Sequence, residues 1–149
     1  MKFSLWTDYG ALNSRLVFDA FANSLNDAGH TVVYNDSSAD VNVIWSVLFY
    51  GRMARNKTIW ENKKPTIVLE VGGINRGTTW KVGLNGINRD AYFGEQNNDR
   101  TRADHLGLVC KPWRSDGDFI LVCGQHDKSL QWQNMPRMSN WFLETYDEI

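Results

Sequence analysis

The amino-acid sequence predicts an α/β fold with a mainly parallel sheet. Short apolar runs alternate with segments of helical periodicity as far as residue 71, in the order β-α-β-β-α-β. These runs are continuously apolar, which is typical of strands that are buried on both faces of a parallel sheet. A length of 149 residues is enough to bury a sizeable core without disulfides or metals.

Each element of the first half has a local signal. The apolar runs predict strands at Lys2–Trp6, Thr31–Tyr34, Val41–Trp45 and Thr66–Val71. Between the first two, apolar residues recur at helical spacing from Leu16 to Ala28, after a cap at Asn13 or Ser14 and before Gly29 as the terminating residue. A second helix is expected from about Tyr50 to Asn62, because Pro65 ends it and begins the next strand.

The pattern changes after Gly73. The β-formers and glycines of residues 78–85 predict an irregular loop or a hairpin, and residues 97–106 a short helix. Further strands are expected at Leu108–Cys110 and Phe119–Cys123, and a final helix at Met138–Ile149. The predicted organisation is one domain over residues 1–113, followed by a strand-loop-helix unit over residues 114–149. This unit either begins a second domain or packs on the first.

Composition excludes several classes of protein. The net charge is −1, from 16 basic and 17 acidic residues, which argues against a generic binder of nucleic acids or membrane surfaces. The sequence has neither a signal peptide nor a run of the ~18 apolar residues that span a membrane. Cys110 and Cys123 lie in apolar runs and are expected to be reduced and packed, so the predicted location is the cytoplasm.

A glycine-rich segment follows the fourth predicted strand. In LEVGGINRGTTWKVGLNG (residues 69–86), Gly72 and Gly77 have the spacing of a phosphate-binding P-loop. Thr78 stands where that loop needs a lysine, and the continuation is a poor start for a helix, so a P-loop is rejected. The segment still lies past the carboxyl end of a strand, where open parallel sheets bind ligands. The residues that could contact a ligand there are Gly72, Gly73, Arg76, Thr78, Thr79, Trp80 and Lys81. The alternative is a sharp turn with a surface arginine.

Two carboxylates are candidates for a general base. Asp8, beside Tyr9 and Gly10, follows the first predicted strand and precedes the helix that Asn13 could cap. Glu70 is placed in the same way at the end of the fourth strand. Asp8 could instead stabilise the turn or the dipole of the following helix, and the role of Glu70 is equally open.

Other constellations are weaker. The spacings His105-x4-Cys110 and Cys123-x2-His126 do not match paired zinc ligands, so no metal is predicted. The basic run of residues 51–64 is expected to be a solvated helix face, because no nucleic-acid-binding motif accompanies it. No Ser-His-Asp arrangement or nucleophile elbow is visible.

Two segments support a resemblance to a known family. Residues 43–85, VIWSVLFYGRMARNKTIWENKKPTIVLEVGGINRGTTWKVGLN, are similar to the N-terminal half of phage-associated, glycosyltransferase-type proteins with two Rossmann-like domains, the GT-B arrangement. Residues 119–129, FILVCGQHDKS, resemble the start of the second such domain in capsule-polysaccharide-type transferases. The resemblance implies a Rossmann-like three-layer sandwich on the acceptor side of the enzyme.

The resemblance also implies a function. Sugar would be transferred from a nucleotide sugar to a hydroxyl, with Asp8 or Glu70 as base, Arg76 on the phosphates, and no metal or other cofactor. Gln125 would lie across the cleft from the Gly72–Thr79 residues. If these 149 residues are the whole molecule, the donor-binding half is lacking and activity alone is doubtful.

Two other functions stay open. One is a non-catalytic module that binds a nucleotide, a sugar or a protein, and the other is a flavodoxin-like nucleotide binder. Expected partners are a nucleotide sugar and a glycan or other hydroxyl acceptor, with nucleic acid still open as the acceptor and no membrane. Residues 119–149 could also pair between chains to form a homo-oligomer. If the protein is encoded by a phage, its location is the host cytoplasm.

Overall fold

A computed structural model describes residues 1–92, 99–129, 132 and 134–149. The chain divides into two compact units, Met1–Gly94 and Glu95–Ile149. The predicted boundary after residue 113 lies inside the second of these units and stays a prediction.

The first unit is built on a five-stranded sheet in the order β2-β1-β3-β4-β5. The strands are β1 (Lys2–Leu5), β2 (Thr31–Tyr34), β3 (Val41–Trp45), β4 (Thr66–Val71) and β5 (Trp80–Leu84). β1 pairs in parallel with β2 and β3, and β3 in parallel with β4, in a register that places Leu5 beside Val43 and Val43 beside Ile67. All four strands predicted from apolar runs in this unit are confirmed, within one residue at the end of β1.

The two faces of the sheet carry separate cores. Residues of one parity, such as Leu5, Val43 and Leu69, pack with Phe18 and Ala22 of helix α1 (Arg15–Asp27). Residues of the other parity face helix α2 (Asn56–Glu61), in a cluster that contains Trp6, Ile44, Ile59, Val68 and Ile87. Burial on both faces explains why β3 is apolar at nearly every position.

The predicted fold class, a Rossmann-like three-layer sandwich with a mainly parallel sheet, is wrong. β5 runs antiparallel to β4, with Val71 opposite Trp80 and Ile67 opposite Leu84, so the sheet is mixed. A parallel neighbour for β4 would need a crossover of a dozen or more residues, whereas only eight separate β4 from β5. This first unit is therefore a small α/β domain with a mixed sheet.

The connection between β4 and β5 explains the glycine-rich segment. Gly77 has φ +93°, a conformation that favours glycine, in a turn where the Thr78 amide donates to the Asn75 carbonyl at 3.0 Å. Gly72 donates its amide to the Thr79 carbonyl at 2.9 Å, and a Cβ on Gly72 would lie 2.8 Å from the Thr79 carbonyl carbon. The spacing that resembles a P-loop therefore serves the turn between β4 and β5. Residues 78–85, which were predicted to form an irregular loop or a hairpin, instead contain the single strand β5.

The predicted second helix is divided in the structure. Gly51–Arg55 forms a 3₁₀ segment and Asn56–Glu61 forms α2. Three-residue 3₁₀ turns also occur at Thr7–Tyr9 and Asn88–Asp90.

The second unit contains helices α3 (Thr101–His105) and α4 (Met138–Glu148). Trp141 of α4 makes edge-to-face contacts with Trp132 and Phe142. Neither Leu108–Cys110 nor Phe119–Cys123 is a strand, and Phe119 and Leu121 are 81% and 74% exposed. Strand formation requires a hydrogen-bonded neighbour, which a local apolar run cannot supply. Both cysteines are free and exposed, so the expectation that they are packed is wrong.

Within the described residues, no helix has the length and apolar character needed to cross a membrane. The same residues contain no group of three or more histidine, cysteine, aspartate or glutamate side chains that could hold a metal ion.

Candidate functional site

The candidate site lies at the carboxyl ends of β1 and β3, which are neighbours in the sheet. The chain leaves β1 through the Thr7–Tyr9 turn, after the Trp6 amide has donated to the Val43 carbonyl at 2.9 Å. It leaves β3 at Ser46, a buried residue with φ +61°. Left-handed backbone at a buried non-glycine residue is uncommon and tends to occur at functional sites. Both exits bring polar backbone and side chains to the same edge of the sheet.

Tyr9 and Arg55 form the central contact of this edge. The Arg55 guanidinium carbon lies 5.5 Å from the centroid of the Tyr9 ring, and Nη1 donates to the Tyr9 hydroxyl at 3.3 Å. This hydrogen bond raises the pKa of the guanidinium further above its ordinary value. The Tyr9 ring also stacks on Trp6, with centroids 6.2 Å apart. An exposed cation is thus held beside an aromatic ring that is itself supported by the core.

A second arginine projects from the same side of the 3₁₀ segment. Arg52 and Arg55 are three residues apart within Gly51–Arg55, and side chains at that spacing eclipse one another in a 3₁₀ helix. Both are exposed, and no acidic side chain in the described part of the chain lies within ion-pair distance of either. Lys57, two residues after Arg55, is paired with Glu61 at 3.8 Å. Apart from the hydrogen bond from Arg55 Nη1 to Tyr9, the two guanidinium groups therefore keep their donors for another anion.

Asn56 lies beneath the site and connects the chain segments that form it. This residue is fully buried, and its Nδ2 donates to the Trp45 carbonyl at 2.9 Å and to the Tyr9 carbonyl at 3.3 Å. Because both partners are acceptors, the orientation of the amide is determined by its contacts. Its Oδ1 is buried without a hydrogen-bond partner among the described residues. The side-chain amide of Asn56 thus connects the segments at the ends of β1 and β3 to the start of α2.

Asn35 connects the end of β2 to the same edge. It has φ +51°, a conformation that asparagine tolerates better than most residues. Its Oδ1 accepts from the Asp8 amide at 3.4 Å, and its Nδ2 donates to the Thr7 hydroxyl at 3.5 Å. The Thr7–Tyr9 turn is therefore held from both sides, by Asn35 and by Asn56.

Of the residues predicted around the first turn, Asp8 and Tyr9 lie at this edge. Asp8 is exposed, and Tyr9 is half-buried under Arg55. Gly10 is buried, and a Cβ there would lie 3.1 Å from the Phe18 ring and closer still to the Ser14 hydroxyl, so Gly10 has a packing role. Asn13 is exposed, and Ser14 occupies the cap position of α1 without a side-chain capping hydrogen bond.

The residues predicted around the fourth strand lie farther along the sheet. β3 separates β1 from β4, so two strand spacings, about 10 Å, divide the end of β1 near Asp8 from the end of β4 near Glu70. Glu70 is half-buried and its Oε1 accepts from the Val71 amide at 2.9 Å. The structure brings the two candidate bases to one edge but does not pair them.

The loop residues mostly satisfy their own turn. The hydroxyls of Thr78 and Thr79 donate to the carbonyls of Asn75 and Ile74. Lys81 donates to Asn88 Oδ1 at 2.8 Å. Gly73, Arg76, Thr78 and Trp80 are exposed, and Thr79 is half-buried. Within the described residues, Arg76 has no ion-pair partner.

Gln125, the last predicted site residue, belongs to the second unit. Its side chain donates to the Ser129 hydroxyl at 3.2 Å.

Sequence reasoning missed Asn35, Asn56 and the specific role of Arg55. Arg55 was included in the basic run that was expected to be a solvated face. Spacing could have singled out Arg52 and Arg55, since they follow the predicted strand within ten residues and precede any acid of that helix. Buried asparagine has no such signal, because its role depends on two carbonyls at Tyr9 and Trp45 that only the fold brings together.

Comparisons with known proteins add little to this geometry. No family model matches the chain, and no curated protein matches it. Among solved structures, a heterocyclase in complex with substrate and cofactor is 17% identical, with a TM-score of 0.38 over 58% of this chain. The match spans only 11% of that protein. A likeness of this size carries no argument about function, and the resemblance to phage-associated transferases stays a prediction.

Proposed function

We propose that this chain is a binding module for a phosphate-bearing ligand of the nucleotide-sugar class, held at the carboxyl ends of β1 and β3. The observation that carries the proposal is the Arg52–Arg55 pair, which has no carboxylate partner in the described residues and is anchored by the contact of Arg55 with Tyr9. Guanidinium groups bind phosphate oxygens through two parallel hydrogen bonds, and two neighbouring arginines suit a diphosphate.

The surroundings suit the rest of such a ligand. Tyr9 is half-buried, and the part of its ring that Trp6 and Arg55 leave uncovered can contact a base or the apolar face of a sugar. Asn35 and Thr7 supply polar side chains at the adjacent strand end. Ligands of open α/β sheets bind outside the carboxyl ends of the parallel strands, which is where these groups lie.

Sugar transfer is a narrower form of this proposal. Asp8 is exposed directly beside Tyr9 and is the carboxylate best placed to act on a hydroxyl near the arginines. Glu70 is the alternative base and lies two strands away. The cytoplasm, or the host cytoplasm for a phage protein, stays the proposed location, in keeping with two free thiols.

Calorimetric titration with UDP, UDP-glucose, pyrophosphate and glucose tests the binding proposal. We expect UDP, UDP-glucose and pyrophosphate to bind and glucose alone to bind far more weakly, because the arginines recognise phosphate. Arg55→Ala should weaken UDP binding by roughly 10- to 100-fold, the equivalent of a lost charge-assisted hydrogen-bonded contact of about 1.5–3 kcal/mol.

Lys57→Ala is the matched control, because it removes one positive charge from α2 at a residue that already pairs with Glu61. It should change the UDP affinity less than threefold. Absence of UDP and pyrophosphate binding at millimolar concentration contradicts the proposal, and so does an equal loss in the Arg55 and Lys57 variants.

A further inference from the structure

β5 is the last strand of the sheet, and part of its outer edge is unpaired in the described residues. The backbone N–H and C=O groups of odd-numbered residues along β5 point toward β4. This follows from two hydrogen bonds, in which the Gly72 amide donates to the Thr79 carbonyl and the Asn85 amide to the Thr66 carbonyl. Even-numbered positions face outward. Leu84 exchanges two hydrogen bonds with Tyr92, at 3.1 and 3.0 Å. Trp80 and Val82 have no such partner in the described part of the chain.

The side chains of this edge are also uncovered. Trp80 and Val82 are 40% and 47% exposed, and they share the face of the sheet on which α1 packs farther along. Natural edge strands usually carry a charge, a proline or a bulge that discourages pairing. β5 has no proline, and its single charge, Lys81, lies on the opposite face, where it is in register with Glu70 and bonded to Asn88.

We propose that β5 pairs antiparallel with β5 of a second copy of this chain, across a twofold axis at Lys81, so that the two sheets become one. In this register Trp80 of each copy is opposite Val82 of the other, and both pairs can exchange two backbone hydrogen bonds, four in all. Each pair is also an aromatic residue against a β-branched one, a favourable cross-strand combination.

Two features select a second copy as the partner. A twofold antiparallel pairing uses the same strand from both sides, and β5 is self-complementary in this register, since its large aromatic and its valine exchange places about the axis. The Leu84–Tyr92 bridge blocks the end of the edge and so excludes registers that shift the pairing toward Leu84. The two Lys81 side chains face each other across the axis, and their like charges weaken the pairing, although each Nζ already donates to Asn88 Oδ1 of its own chain.

A pairing of this length buries little area, below the roughly 1,200 Å² that marks weak and transient interfaces. We therefore expect dimers at high micromolar rather than nanomolar concentration. Sedimentation velocity over a 100-fold concentration range should show a shift from the 17.1 kDa chain toward twice that mass. Val82→Lys should remain monomeric over the same range, since it places a charge on the uncovered face of the edge.

Leu16→Lys is the matched control, because Leu16 is 81% exposed on α1, away from this edge. It should dimerise like the unaltered chain. A monomeric unaltered chain, or a dimer that survives Val82→Lys, overturns the proposal.

Cross-linking tests the register and does not depend on the folding of the lysine variant. In a Cys110→Ser, Cys123→Ser background, Trp80→Cys and Val82→Cys chains are prepared separately, mixed and oxidised. We expect several-fold more disulfide-linked dimer in the mixture than in either chain alone. In the proposed register, residue 80 of one copy lies opposite residue 82 of the other, and neither residue lies opposite its own equivalent. Equal yields in all three samples contradict the register. Slow hydrogen exchange of the Trp80 and Val82 amides in a monomer would show the edge covered within one chain, and would also overturn the proposal.

Discussion

Arg55 lies across the ring of Tyr9, with its guanidinium carbon 5.5 Å from the ring centroid, and donates to the Tyr9 hydroxyl at 3.3 Å. The two residues come from different layers, Tyr9 from the turn after β1 and Arg55 from the segment before α2. This contact orients an exposed cation without neutralising it, because the phenol is a neutral acceptor. A preoriented arginine loses less side-chain entropy when it binds an anion.

Tyr9→Phe isolates that orientation. The substitution keeps the ring under the guanidinium and removes only the acceptor oxygen, so we expect UDP affinity to fall about three- to tenfold, in line with one hydrogen bond of about 0.5–1.5 kcal/mol. The melting temperature should change little, because the hydroxyl faces an exposed partner. Tyr34→Phe, which removes the hydroxyl of another half-exposed tyrosine at the end of β2, should leave the affinity unchanged. Calorimetric titration of both variants decides whether the Tyr9 hydroxyl assists binding.

Asn56→Leu tests the role of the buried amide. The substitution leaves the carbonyls of Tyr9 and Trp45 without the donor they share, and each unsatisfied buried group costs about 1–3 kcal/mol. It also removes the orphan Oδ1, which offsets part of the loss. We expect a net loss of about 2 kcal/mol in the free energy of unfolding, measured by urea denaturation. Asn23→Leu, at an exposed position of α1, should change it by less than about 0.5 kcal/mol. Equal effects of the two substitutions would contradict the role assigned to Asn56.

The sequence permits prediction of elements whose cause is local. β2, β3 and β4 have the predicted bounds, because apolar, β-branched runs bounded by turn residues determine them. β5 was not predicted as a strand, because residues 78–85 were expected to form an irregular loop or a hairpin, and its antiparallel place in the sheet depends on pairing with β4. Phe119–Cys123 shows the converse case, in which strong local β propensity is not realised without a neighbouring strand.

Only part of the candidate site could be predicted from the sequence. Asp8 and Tyr9 could be placed at a strand end from the sequence, because the position follows from the end of an apolar run. The contact between Tyr9 and Arg55 spans 46 residues and depends on the order of the strands, which periodicity does not determine. Gly10 follows the end of a strand, as glycines that contact a ligand often do. The structure shows instead that a side chain at Gly10 would clash with Ser14 and Phe18, so glycine is needed there for packing.

Asp36 gives the stability of the first unit a pH dependence in acid. The Lys2 side chain, which donates to this carboxylate with Nζ 2.8 Å away, and then the backbone and hydroxyl of Ser38, hold the pKa of Asp36 well below its usual range. A carboxyl whose pKa is lower in the folded state stabilises the fold above the unfolded pKa of about 3.9 and loses that contribution as pH falls below it.

Asp36→Asn removes this contribution at every pH. We expect the urea midpoint of the unaltered chain to exceed that of the variant at pH 6, and the difference to shrink between pH 4 and pH 2. Other carboxyls affect both proteins alike, so the difference between the two midpoints isolates Asp36. A difference that is constant from pH 6 to pH 2 would show that the Lys2–Asp36 contact does not carry the effect.

Asp8→Asn separates binding from catalysis. If the chain transfers sugar, replacing the base should lower turnover by about 10²- to 10⁴-fold while UDP affinity stays within about threefold, since Asp8 lies beside the arginines and does not pair with them. UDP release from UDP-glucose in the presence of glycan acceptors measures turnover, and Glu70→Gln tests the other carboxylate in the same assay. Asp27→Asn, at the exposed end of α1, is the control. Unchanged turnover in both the Asp8 and Glu70 variants would remove the two predicted bases.

Gly72 and Gly73 offer the sharpest test of what the glycine-rich segment does. A Cβ on Gly72 would lie 2.5 Å from the Thr79 carbonyl oxygen and 2.8 Å from its carbon, both backbone atoms that cannot move without opening the hairpin, whereas a Cβ on Gly73 meets nothing within 4 Å. We expect Gly72→Ala to lower the free energy of unfolding by about 1–3 kcal/mol, as overpacking does, and Gly73→Ala to change it by less than about 0.5 kcal/mol.

Ligand binding distinguishes this structural role from a phosphate loop. Both alanine variants should retain UDP affinity within about threefold at temperatures where they are folded, because the arginines of the proposed phosphate site lie in residues 51–55 and not in the β4–β5 loop. A Gly73→Ala variant that keeps its stability but loses UDP binding would instead place the ligand at the β4–β5 loop. Urea denaturation and titration of the same two proteins therefore decide whether these adjacent glycines are needed for the close approach of two strands or for the approach of a ligand.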